Sequence, residues 1–177
     1  MENSTPENYT GCLLGGAVGD ALGAPVEFMS LHQILNRYGE AGILDYVEFP
    51  DGVGRITDDT QMTLFTAEAL LRTMNRATQR GIWGAYLQIA HDSYLRWLHT
   101  QNEPMPRLND NRPPMTGWML KQKELYHRRA PGNTCISALR SGICGTIKKP
   151  INNSKGCGGI MRVAPVGLIK SFKPADA

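Results

Sequence analysis

The chain has 177 residues, 41% of them hydrophobic and 20% charged, with a net charge of +3. That length suits a single domain over 1–177, and the composition excludes a disordered chain. The 19 glycines and 11 prolines follow no three-residue period, which excludes a collagen-like one.

The apolar run from Cys12 ends at Asp20, too short to cross a bilayer. The start MENSTPENYT lacks the basic and apolar regions of a signal peptide. A cytoplasmic location with no membrane partner is therefore the expectation. Residues 1–109 carry 7 Lys/Arg and 13 Asp/Glu, a balance of −6, whereas residues 110–177 carry 12 and 3, a balance of +9. An acidic part suits a hard cation and a basic part suits a phosphate-bearing ligand; a portion of a larger fold would show the same imbalance.

In chain order, Thr5-Pro6-Glu7 reads as a helix start, with an N-cap, a proline at the first helical position and an acid in the first turn. This helix is expected to run to about Leu22 and carries Gly11, Gly15, Gly19 and Gly23 at a spacing of four. Each interior glycine costs about 0.8–1 kcal/mol relative to alanine. The stripe they form lets a backbone or a ligand come close. Tight helix packing is expected at Gly11 and Gly15, and a place lining a site at Gly19, Asp20 and Gly23.

Residues 24–56 read as irregular, with a short helix over Leu31 to Tyr38. A helix starting at or near Asp58-Asp59 follows, with Met62, Phe65, Ala69, Leu70 and Met74 at helical spacing. Another is predicted over 82–99, with Trp83, Leu87, Ala90, Tyr94 and Trp97 on one face. Four prolines make 102–115 a loop. Helical patterns return over 117–128 and 134–146, a loop spans 148–159, and a last helical pattern begins near Ile160. No strand alternation stands out, so the fold class is all-α.

Three groupings could carry chemistry. Thr57-Asp58-Asp59 offers three hard oxygen donors within one turn, suited to Mg²⁺, Mn²⁺ or Ca²⁺; acids at a helix start also serve as caps. Glu27 follows Pro25-Val26 at a helix-to-loop junction, where a carboxylate could be held against a reacting group or a water, or could simply be an exposed loop acid. Ser154-Lys155-Gly156-Cys157-Gly158-Gly159-Ile160-Met161-Arg162 is a glycine-rich segment opening a helix, a nest for a pyrophosphate or only a turn. The cysteines, Cys12, Cys135, Cys144 and Cys157, contain no C-x-x-C pair, so they are expected to be reduced thiols and not a zinc site. No nucleic-acid-binding signature is present, and no nucleic-acid partner is expected.

Taken in order, Gly11 to Gly23 with Glu27, then Thr57-Asp58-Asp59-Thr60-Gln61-Met62, then Pro131-Gly132-Asn133-Thr134-Cys135, then Lys155 to Pro165, resemble the ADP-ribosylglycohydrolase family over about Tyr9 to Ile169. The resemblance implies an orthogonally packed all-α fold with a binuclear Mg²⁺ site, sometimes Mn²⁺. It implies hydrolysis of the glycosidic bond between ADP-ribose and an acceptor such as arginine, on a protein or a small substrate. By motif, Thr57, Asp58 and Asp59 would be metal ligands, and Glu27, Asp58 and Asp59 the catalytic acids. Gly156, Cys157, Gly158, Gly159, Ile160 and Met161 would cradle the diphosphate and ribose.

The family's later G-D-x-D-[TS] motif has no counterpart here; Asp110, Glu124 and Asp176 are the acids after position 109. The expectation is thus an N-terminal portion of such an enzyme, lacking its C-terminal helices and working with a C-terminal fragment or a second copy. The alternative is a non-catalytic member that binds ADP-ribose or a partner.

Overall fold

The structure is a computed structural model that describes residues 5–50, 52–106 and 113–169. The centre of the loop expected over 102–115 therefore lies outside the described residues, as do Asp110 and Asp176. The described residues form helices α1 (Pro6–Gly23), α2 (Leu31–Tyr38), α3 (Asp58–Arg80), α4 (Tyr86–Thr100), α5 (Asn133–Arg140) and the single turn α6 (Ala164–Gly167). Four 3-10 turns connect them, and a two-residue antiparallel ladder, β1 (Glu48–Phe49) with β2 (Gly52–Val53), interrupts the irregular segment before α3. The all-α reading holds.

Local chemistry explains the helix starts. Asn8 Oδ1 accepts from both the N–H and the hydroxyl of Thr5, closing the first turn of α1. In α2, Ser30 Oγ accepts from the Gln33 N–H while the Gln33 side chain accepts from the Ser30 N–H. α3 stops at Gly81, which takes the left-handed conformation at φ +64° and donates to the Ala77 carbonyl.

Three predicted helices are corrected. Gly81 and Gly84, at φ +84°, separate α3 from α4, so α4 begins at Tyr86 and not at 82. Its buried residues are Ser93, Leu95 to Leu98 and Thr100, whereas Trp83 and Leu87 are 61% and 59% exposed. The pattern predicted over 117–128 becomes two 3-10 turns, because Gly117 sits at φ +142° and Gln122 is extended between them. A Cβ at Gly117 would stand 2.4 Å from Glu68 Oε1, which only glycine avoids. α5 ends at Arg140, ahead of Gly142 at φ +68°.

The core lies between α3 and α4, capped by α5 and the 119–125 turns. It comprises Met62, Phe65, Leu95, Trp97, Leu98, Met119, Leu125, Ile136 and Leu139. Burying each large side chain is worth about 1.5–3 kcal/mol. Ser93 and Gln61 are paired inside: Ser93 Oγ donates to the Phe65 carbonyl at 2.7 Å, and Gln61 Oε1 accepts from Trp97 Nε1 and Gln101 Nε2 at 3.1 and 3.0 Å. Gln61 Nε2 donates to the His127 carbonyl at 2.9 Å. Gln61 thus fixes the 127–132 segment against the first turn of α3, which matters for the site.

Glu103 anchors the chain after α4. Its buried carboxylate pairs with Arg128 and Arg140, both about half exposed. Hydrogen bonds from these two guanidiniums hold it below its ordinary value of 4.5. Because the native value is the lower one, the stabilisation is present well above 4.5 and is lost as pH falls through that range. Glu103→Gln is expected to flatten the fall in stability between about pH 5 and 3 and to cost roughly 1–2 kcal/mol at neutral pH, a sum reduced by solvent around the arginines. Urea melts of both proteins across that range check this.

Candidate active site

α1 packs on α3 and α6, yet Ala21 is its one buried residue. A Cβ added at Gly11, Gly15, Gly16, Gly19 or Gly23 would meet nothing within 4 Å. The tight packing expected at Gly11 and Gly15 is therefore not found among the described residues. Instead Gly15, Gly16, Gly19 and Gly23 line an open cleft of about 460 Å³, with Thr57, Asp59 and Glu27 on its other side.

What α1 does contribute is Asp20. Its carboxylate accepts four hydrogen bonds from the start of α3: the Thr57 N–H and hydroxyl, each at 2.7 Å, and the Thr60 N–H and hydroxyl at 3.1 and 2.6 Å. The Asp59 N–H donates to Thr57 Oγ1 at 3.3 Å and the Asp58 N–H to the Arg129 carbonyl at 3.1 Å. The free donors of the α3 N-terminus are thus satisfied by Asp20, Thr57 and a backbone carbonyl. Capping does not consume the carboxylates of Asp58 and Asp59.

Those two carboxylates face different surroundings. Asp58 is 5% exposed and its Oδ2 accepts from the Gly132 N–H at 3.2 Å. Burial, with Asp59 beside it, pushes its carboxyl up to about 6 against the opposing pull of Gly132 and Arg162. Asp59 is half-buried, and among the described residues no donor is bound to its carboxylate. Burial and the Asp20 charge raise it, while Arg162 lowers it. Glu27, at an exposed position, is raised by partial loss of hydration and then by Asp59 and Asp20.

A pocket of about 360 Å³ brings the separate motifs together. It is lined by Glu27, Asp58 and Asp59, by Gly132, Thr134 and Cys135 at the start of α5, and by the loop residues Gly156, Cys157, Gly158, Gly159 and Met161. Thr57 lies on the adjoining cleft, and Glu27, Asp59, Cys157 and Met161 border both spaces. Ile160 is the exception among the predicted loop residues: it is 77% exposed and lines neither. Thr63 Oγ1 donates to the Met161 carbonyl at 3.1 Å, fastening the end of the loop to α3.

Asp20 lines the cleft, as its sequence position predicts, but its bonds to the start of α3 were not foreseen, and Gly132, Cys135 and Arg162 border the pocket with no individual role assigned from sequence. Asp20 carried one available signal, its place at the end of the glycine stripe. The four cysteines are free thiols as expected. Cys135 Sγ receives a hydrogen bond from Arg162 Nη2 at 2.8 Å.

A Cβ at Gly158 would fall 2.7 Å from that sulfur. Gly158→Ala is expected to lose about 1–3 kcal/mol through overpacking. Cys135→Ala in the same chain should recover most of the loss, which thermal melts of the single and double variants would measure.

Hard oxygens at Thr57, Asp58 and Asp59 match a divalent cation in type, and the carboxylates crowded here repel one another. Their number is a partial shell: among the described residues no group of three His, Cys, Asp or Glu is placed to hold an ion. No single described helix is long and apolar enough to cross a membrane.

The family model described as ADP-ribosylglycohydrolase matches residues 1–177. The chain is 31% identical over 172 residues to an uncharacterized protein of Archaeoglobus fulgidus, a match covering 94% of this chain and 44% of that one. It is 41% identical over 73 residues to the ADP-ribosyl-[dinitrogen reductase] glycohydrolase of Rhodospirillum rubrum, covering 38% of this chain and 23% of that protein. The chain thus spans less than half the length of these curated relatives, and no solved structure matches it. With its four motifs gathered around one pocket and a family match along its whole length, the chain belongs to the ADP-ribosylglycohydrolase family.

Proposed function

We propose that the protein hydrolyses the glycosidic bond between ADP-ribose and a modified acceptor, of arginine type, at a binuclear Mg²⁺ site. The observation that carries this reading is the meeting of Glu27, Asp58 and Asp59 with the Gly156–Met161 loop in one pocket. Thr57, Asp58 and Asp59 would hold the cation, for which Mn²⁺ would satisfy the same donors. Divalent ions, when bound, supply charge to the ribose hydroxyls and acidify the attacking water.

The chain's own groups do the rest. Glu27, its carboxyl raised above the ordinary value by partial burial and by Asp59 and Asp20, takes the proton from the water. The negative wall of Asp58 and Asp59 stabilises the oxocarbenium-like transition state that glycosidic cleavage passes through. The glycine-rich loop seats the diphosphate and ribose of an ADP-ribosylated protein or small substrate. Three protein oxygens fill about half of a six-oxygen shell. Water, substrate hydroxyls or a further polypeptide segment, whether a C-terminal fragment or a second copy, complete it.

The test is release of ADP-ribose from ADP-ribosyl-arginine, followed by chromatography with Mg²⁺ and with a chelator. Hydrolysis that chelation abolishes is the expected result, and hydrolysis indifferent to chelation would overturn the dimetal reading. A second reading, a non-catalytic ADP-ribose-binding member, is favoured by the absence of a three-acid group among the described residues. ADP-ribose binding without turnover at saturating Mg²⁺ would select it.

A further inference from the structure

We propose that Arg162 is the positioning residue of this pocket: one guanidinium that pins the Gly156–Met161 loop to α4 and α5 and holds it in binding shape. The inference rests on the reading of that loop as the seat of ADP-ribose.

Two nitrogens and the face of the guanidinium are engaged. Its Nε donates to the Gly158 carbonyl, and its Nη2 donates to Cys135 Sγ at 2.8 Å, reaching α5. Its Cζ stands 4.8 Å from the centroid of the Tyr94 ring on α4. The Tyr94 hydroxyl is itself fixed, sharing a 2.8 Å hydrogen bond with Thr66 Oγ1 of α3.

A contact to Gly158 alone could be a local matter, four residues back along the chain. The contacts to Cys135 and Tyr94 are not local, and they tie the loop to two other helices. Arg162 also opposes, with its positive charge, the burial that raises the Asp58 and Asp59 carboxyls.

The arrangement demands these particular residues. The missing Cβ of Gly158 would stand 2.7 Å from Cys135 Sγ and 3.3 Å from Arg162 Nη2, so glycine is what lets all three meet. A lysine would keep the charge yet lose the planar fork and most of the stacking. Without the guanidinium, the loop keeps the Thr63 bond to Met161 at its far end, but among the described residues no other hydrogen bond links Gly158 to α5.

The experiment compares the wild-type chain with Arg162→Lys and Arg162→Ala by two measurements. Mass spectrometry follows iodoacetamide labelling of each cysteine, with Cys144, outside the pocket, as the internal control. Calorimetry follows binding of ADP-ribose in the presence of Mg²⁺.

The proposal expects Cys135 to label several-fold faster in both variants while Cys144 is unchanged, and the ADP-ribose Kd to rise about tenfold, a loss of ~1.4 kcal/mol. Labelling of Cys135 at the wild-type rate in Arg162→Lys would overturn it. So would a parallel rise at Cys144, since that reports general loosening and not a local pin. If Arg162→Ala does not fold, Arg162→Lys decides by the same criteria. If the wild-type chain binds no ADP-ribose, the reading of the substrate fails, and Arg162 is judged on the labelling alone.

Discussion

Asp59→Ala is expected to lower the rate of ADP-ribose release by roughly 10²–10⁴-fold, the range associated with removing a positioned acid–base or charge-stabilising group. Asp58→Ala is expected to do the same, and the two side chains fail for different reasons. The Asp59 carboxylate has no internal donor among the described residues, so its removal is expected to leave the fold intact and to take away the proposed ligand. The Asp58 carboxylate is buried and accepts from the Gly132 N–H, so its removal also leaves a buried donor unpaired.

Asp58→Asn separates these effects, because the amide oxygen can still accept from Gly132 while the negative charge is gone. Melting temperature close to wild type with activity lost is the expected outcome for Asp58→Asn and Asp59→Ala. Activity retained in both would remove the acidic pair from the mechanism. The assays belong beside a chelator control, since loss of the cation and loss of its ligand should look alike.

The largest stability effect among the site residues is expected at Asp20. Its carboxylate takes four hydrogen bonds from Thr57 and Thr60, and two of these are backbone donors at the N-terminus of α3. Hydrogen bonds to a charged acceptor contribute about 1.5–3 kcal/mol each but are not additive around one group, and a lost N-cap costs about 1 kcal/mol. Asp20→Ala is therefore expected to cost roughly 2–4 kcal/mol, which for a chain of this size lowers Tm by about 4–16 °C.

Asp20→Asn should lie between wild type and alanine: it keeps one accepting oxygen but turns an NH₂ toward groups that already donate. A Tm within a degree or two of wild type for Asp20→Ala would mean that Asp20 does not cap α3. Thermal melts followed by circular dichroism decide. Activity should fall as well, because the capped turn is what aims Asp58 and Asp59 into the pocket.

These expectations divide along the line between local and distant chemistry. Helix starts at Thr5-Pro6-Glu7 and Ser30-Leu31 rest on side chains bonding to backbone within three residues, so a linear reading finds them. The 3.6-residue period marks Met62, Phe65 and Ala69 as one face, and all three are buried. Breaks were harder to place. Whether Gly84, Gly117 and Gly142 interrupt a helix depends on their positive φ, and at Gly117 a Cβ would also run into the Glu68 and Arg72 side chains, partners distant in sequence.

By itself, the amino-acid sequence determined the all-α class, the principal helices, the family resemblance, and which residue types could bind a cation or a diphosphate. It did so because helical period, capping and motif spacing are properties of neighbours along the chain. The tertiary structure decided how those pieces are used. Asp20, 37 residues before Thr57, does the capping that local reading gave to Asp58 and Asp59. Gly132, 74 residues beyond Asp58, meets its carboxylate, and Arg162 meets Cys135 across 27 residues. A linear pattern carries no distance between such partners; they are brought together by the burial of Phe65, Trp97 and Ile136 in one core, which fixes where α3, α4 and α5 begin and end relative to one another.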